Sequence, residues 1–141
     1  MNKELKSPLL LDTHILIWLM NGDKKLQSTK FYTWVQSKNP PQLWLSVISV
    51  WELGMLEARN KIELPMDCLQ WVKNALSNGI ELAEFTPEIA VESTRLPHTL
   101  HKDPHDHILI STAKLRGLTL VTHDAEIIKY CKSQKIKVLP T

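Results

Sequence analysis

The chain has 141 residues, 43% hydrophobic and 23% charged, which is ordinary for one globular domain that buries roughly two-thirds of its unfolded surface in one core. A net charge of +2 neither demands nor excludes a nucleic-acid partner, and no apolar run approaches the ~20 residues of a membrane span. Cys68 and Cys131 lack metal-type spacing and suggest no disulfide scaffold; the apolar start is broken by Asp12 and His14, a poor signal peptide, so a reducing cytoplasm is expected.

Pro8 is followed by a short apolar run, Leu9 to Leu11, that ends on Asp12 and passes into helical apolar spacing as far as Met20. Asn21-Gly22-Asp23 breaks that helix. Lys24 to Lys38 places Leu26, Phe31, Trp34 and Val35 at helical spacing until Asn39-Pro40-Pro41. Leu43 to Val47 is a second buried-strand candidate, flowing into a helix from Ile48 to Lys61 with Ser46 or Ser49 as cap. A further helix is expected over Met66 to Asn78, capped by Asp67 and stopped by Gly79. Ile80 to Glu84 alternates like a half-exposed strand, and Thr86-Pro87 opens a helix from Glu88 to Arg95. After a histidine-rich segment, Ile108 to Arg116 reads as helix, Leu118 to Thr122 as strand, Ala125 to Lys135 as helix and Ile136 to Leu139 as a closing strand. Strands alternating with helices, over connections too long for hairpins, predict a single α/β domain spanning residues 1–141, a parallel sheet of four to five strands with helices on both faces. Lysines gather at Lys24, Lys25 and Lys30 and at Lys129, Lys132, Lys135 and Lys137, and each group reads first as a solvated helix face.

Ligands of parallel sheets sit outside the carboxyl ends of the strands. Asp12 and Asp124 follow apolar strands directly, Glu52 lies a turn and a half into the helix after the second strand, and Asp106 falls in the first turn of the helix after Pro104. Four acids can therefore converge on one cleft. Carboxylates within ~4 Å repel by about 4 kcal/mol at an effective dielectric near 20, so either a hard divalent cation offsets the repulsion or some acids stay protonated. Each aspartate also has a capping explanation. Asp103 before Pro104 is favoured as an N-cap over a ligand, and Asp12 and Asp124 could cap the helices that follow them. Capping does not account for Glu52, which occupies an apolar stripe between Ile48 and Leu56.

His98, His101, His105 and His107 lack the tight, regular ligand pairs of a structural zinc site, and partial surface exposure with a phosphate contact is the favoured reading. Scattered glycines exclude a phosphate-cradling loop or dinucleotide fingerprint, and no nucleophile elbow is present. A phosphatase using Asp12 as nucleophile would want a second aspartate two residues on, where His14 stands.

Leu9-Leu-Leu-Asp12-Thr-His, Leu45-Ser-Val-Ile-Ser-Val-Trp-Glu52, Asp103-Pro-His-Asp106 and Gly117-Leu-Thr-Leu-Val-Thr-His-Asp124, in this order, resemble the PIN-domain proteins, and more narrowly the VapC-type ribonuclease toxins of toxin-antitoxin pairs. The resemblance implies an acidic pocket of Asp12, Glu52, Asp106 and Asp124 holding Mg²⁺ or Mn²⁺ through Asp12, Asp106 and Asp124, with Thr122 as a polar neighbour. It also implies an RNA substrate, a cognate antitoxin and a homodimer. One departure stands out: the family often carries Asp-Pro-Phe-Asp-Arg where this chain has His105 and His107, and neutral histidine is a poorer phosphate anchor than arginine. The expected function is a metal-dependent endoribonuclease; the alternative is a catalytically inactive regulatory or binding module of the same fold.

Overall fold

A computed structural model describes residues 8–97, 100 and 103–141. Its sheet has five parallel strands: β1 (Leu9–Leu11), β2 (Leu43–Ser46), β3 (Ile80–Ala83), β4 (Thr119–Thr122) and β5 (Val138–Pro140), in the order β3-β2-β1-β4-β5. The central strand β1 is buried at every residue, as an all-apolar Leu-Leu-Leu run between two covered faces must be. Its side chains alternate between the faces. Leu9 and Leu11 join a core with Ile15, Leu16, Phe31, Leu45, Leu53 and Trp71, whereas Leu10 joins Leu109, Ile110, Leu120, Ile127 and Cys131.

The helices follow from those two faces. α1 (Thr13–Met20), α2 (Lys24–Gln27), α3 (Lys30–Val35), α4 (Val47–Ala58) and α5 (Cys68–Ser77) supply the first core. α7 (Pro104–Arg116) and α8 (Ala125–Ser133) supply the second, with α6 (Pro87–Ser93) packed on α7. Caps set the starts where expected: Ser46, rather than the buried Ser49, accepts from Ile48 N, Asp67 from Leu69 N, and Thr86 from Ile89 N. Gly117 ends α7 at φ +66°, a left-handed conformation that costs little only without a Cβ.

Two expectations need correction and a third is extended. Lys24 to Lys38 is two helices, because Thr29 leaves helical geometry and its hydroxyl caps α3 through Tyr32 N. The helix read over Ile108 to Arg116 extends back to Pro104, as the favoured Asp103 cap with proline at the first helical position predicts. In β3, Glu81 and Leu82 are both exposed, so this edge strand does not alternate. No helix among the described residues is long and apolar enough to cross a membrane.

Candidate active site

Strand order creates the site. The chain leaves β1 toward β2 on one side, and β4 pairs on the other, so the β1/β4 boundary is the switch point where a crevice opens at the carboxyl edge. Asp12 leaves β1 there with its amide bonded to Val121 O, and Asp124 leaves β4 two residues beyond Thr122. Glu52 reaches the crevice from α4 and Asp106 from the first turn of α7. All four predicted acids line one cleft of about 320 Å³, together with Asp103, His14, Ile15, Trp18, His105 and His123.

The capping explanations separate at this point. The Asp12 backbone has N-cap geometry, yet its side chain makes no cap bond. Its carboxylate instead accepts from the Thr122 hydroxyl at 2.8 Å. Thr122 also accepts from Asp124 N at 3.2 Å, so one buried hydroxyl ties the ends of β1 and β4 together. Burial raises the Asp12 carboxyl above its ordinary value; the Thr122 bond pulls it back, the Asp106 charge pushes it further up, and His105 and His14 lower it. Asp124 does cap α8, accepting from Glu126 N at 2.9 Å and Ile127 N at 3.0 Å, and still faces the cleft. Asp103 likewise caps α7 through His105 N at 3.0 Å while lining the cleft. Cap and cleft are not exclusive roles, because a carboxylate has two oxygens and about four lone-pair sites.

His105 overturns the expectation of surface exposure. It is 4% exposed, its Nε2 lying 3.0 Å from Thr13 Oγ1 and 3.2 Å from Glu52 Oε1, and its Nδ1 3.3 Å from Asp106 Oδ1. Thr13, itself fully buried, donates to Ser49 at 2.9 Å. Burial by itself would lower the His105 pKa, but Asp106, Glu52 and Asp12 together outweigh it and raise it. When protonated, the imidazole offsets part of the acidic repulsion. Glu52, Asp103 and His105 also place one ligand atom each mutually within 4.8 Å, a possible cation group beside the predicted trio. His107 contacts Leu100 O at 3.0 Å; His98 and His101 lie outside the described residues.

The PIN domain family model matches residues 9–133, most of the chain. The chain belongs to the PIN domain family. Among relatives of this PIN domain, Ribonuclease VapC22 of Mycobacterium tuberculosis is 27% identical over 119 residues, covering 84% of this chain and 88% of that protein. A toxin-antitoxin complex from Klebsiella pneumoniae contains a chain 27% identical with TM-score 0.56, over 82% of this chain and 86% of that one. VapBC2 from Rickettsia felis, solved on a promoter DNA fragment, shares the fold at TM-score 0.66 and 19% identity, over 94% and 97% of the two chains.

Sequence reasoning missed the buried Thr13, Ser49 and His105 group of this PIN domain, though one signal was present. His105 shares a helix face with Ile108, Leu109 and Thr112, all buried, so its place on the apolar stripe of α7 foretold its burial.

Proposed function

We propose that the protein is a divalent-metal-dependent endoribonuclease, the toxin of a toxin-antitoxin pair, with Asp12, Glu52, Asp106 and Asp124 as its working acids. The observation that carries this reading is the convergence of those acids, from four different elements, on one cleft at the β1/β4 switch point. The chemistry of the donor set fits a hard cation: the cleft lining has five carboxylates and, among the described residues, no lysine or arginine. Asp12, Asp106 and Asp124 would hold Mg²⁺ or Mn²⁺. Such an ion, when bound, acidifies a water and stabilises charge on the phosphodiester oxygens.

The side chains divide the remaining work. Thr122 fixes one Asp12 oxygen at 2.8 Å and leaves the other outside that bond, on a residue that lines the cleft. Asp124 spends Oδ1 on two backbone amides, which holds its carboxylate rigidly at the rim. Glu52 lies 3.2 Å from His105 Nε2 and caps no helix, and we assign it as the acid that takes a proton from the attacking water. In the proposed reaction Glu52 accepts that proton as water oxygen attacks phosphorus, and the opposite phosphorus–oxygen bond breaks in line.

Partners follow the same reading. One neighbouring structure is a toxin-antitoxin complex, and we expect this chain to form a homodimer silenced by a cognate antitoxin. A non-catalytic module has no support in a chain that keeps all four acids in place and has a ribonuclease as relative.

The test is incubation of antitoxin-free protein with total cellular RNA and Mn²⁺ or Mg²⁺, beside Asp12→Asn and chelated controls, with new ends mapped by sequencing. Discrete cuts that need both metal and Asp12 are expected. Undiminished cutting by Asp12→Asn would overturn the mechanism.

A further inference from the structure

The cleft has one wall that the acids do not explain. Trp18, half-buried on α1, lies between two exposed imidazoles: His14 one turn earlier, with ring centres 6.2 Å apart, and His123 from the β4–α8 junction at 5.6 Å. Both contacts are edge-to-face, at 66° and 75°. The exposed Lys25 ammonium sits 4.9 Å from the centre of the Trp18 ring. His123 is itself fixed, its Nδ1 2.8 Å from the Thr141 main-chain oxygen. All three rings line the same cleft as the acids, and the wall is tied to them in the chain: His14 is two residues past Asp12 and His123 immediately precedes Asp124.

A strand cut in this cleft meets an electrostatic problem. Five carboxylates repel every phosphate except one neutralised by a cation, so affinity for the flanking nucleotide must come from its base or from cations outside the acidic patch. The wall offers both. Every nucleobase has a π-face that packs on aromatic rings irrespective of sequence, and an exposed lysine is a point charge suited to a backbone phosphate. Base pairing in a duplex hides those faces, so such a wall accepts only unstacked nucleotides.

We propose that His14, Trp18 and His123 form the binding subsite for the base of an unpaired ribonucleotide adjacent to the scissile phosphate, with Lys25 on its backbone. The occupant is single-stranded or loop RNA. This assignment rests on the ribonuclease reading, and the test separates the two.

The measurement is fluorescence anisotropy of a labelled unpaired oligoribonucleotide of about ten nucleotides, bound by Asp12→Asn protein so that no cleavage intervenes. In that background Trp18→Ala is expected to weaken binding about 10- to 100-fold and Trp18→Phe no more than about threefold. Lys25→Ala should lower the slope of log affinity against log salt by about 0.7. Because Trp18 also touches the core, a second variant, His14→Ala with His123→Ala, alters only exposed side chains and should weaken binding about tenfold at unchanged Tm. A perfect RNA duplex should bind Trp18→Ala and its parent alike. If the parent binds and both wall variants bind as tightly, the subsite is refuted while the ribonuclease stands. Equal losses on duplex and unpaired RNA would refute the unpaired-base assignment. A parent that binds no RNA, together with wild-type protein that cuts none, would remove both readings.

Discussion

Replacing Asp12 by asparagine tests whether the cleft is electrostatically strained without a bound cation. Burial first, and then the Asp106 charge, raise the Asp12 carboxyl; as a scale, like charges ~5 Å apart repel by roughly 3 kcal/mol at an effective dielectric near 20, and partial exposure reduces that by about half. Asparagine keeps an oxygen for the Thr122 hydroxyl, now 2.8 Å from the carboxylate, but a neutral acceptor gives up about 0.5–1 kcal/mol of that bond. The balance is a gain of about 1 kcal/mol, so metal-free Asp12→Asn should melt about 3–4 °C above the wild type. With Mn²⁺ the order reverses. At an ion concentration 100 times Kd the wild type gains about 2.7 kcal/mol, and the variant should gain less than half of that. Calorimetry of both proteins, chelated and then titrated with Mn²⁺, reads both effects. A variant less stable than the wild type under chelation, or equally stabilised by Mn²⁺, would refute the assignment of Asp12 as a strained cation ligand.

The raised Asp12 carboxyl predicts a pH signature in the same pair. The folded state holds that proton more tightly than the unfolded state, so Asp12 destabilises the metal-free fold fully above its folded pKa, and the penalty fades as pH falls toward the ordinary value of 3.8. The Tm advantage of Asp12→Asn should therefore shrink on acidification; an advantage that grows instead would contradict the burial argument. Thr122→Val removes both the Asp12 bond and the Asp124 amide acceptor, and should lower kcat at least tenfold with Thr122→Ser retaining most activity, measured by single-turnover cleavage. Leu10→Ala, at a fully buried position of the central strand, should cost roughly 3 kcal/mol in guanidinium unfolding with an unchanged m-value.

Local signals determined much of this protein. Three leucines closed by an aspartate specify a strand buried on both faces and place an acid at its carboxyl end, because period and burial are written in neighbouring residues. Asp67, Thr86 and Asp103 announced helix starts for the same reason, each satisfying amides two or three residues away. Glu52 was legible as a cleft residue because a charge on an apolar stripe needs an explanation beyond solvation. Tertiary structure decided what depends on strand order. Only the insertion of β4 beside β1 brings Thr122 to Asp12 across 110 residues, and only the packing of α7 on α1 and α4 buries His105 against Thr13 and Glu52. The break at Ser28–Thr29 was hidden because the apolar residues on either side keep helical spacing, while the turn is fixed by a threonine cap. The aromatic wall was half hidden: His14 and Trp18 meet by helical spacing on α1, but His123, over a hundred residues on, joins them only through the β1/β4 pairing.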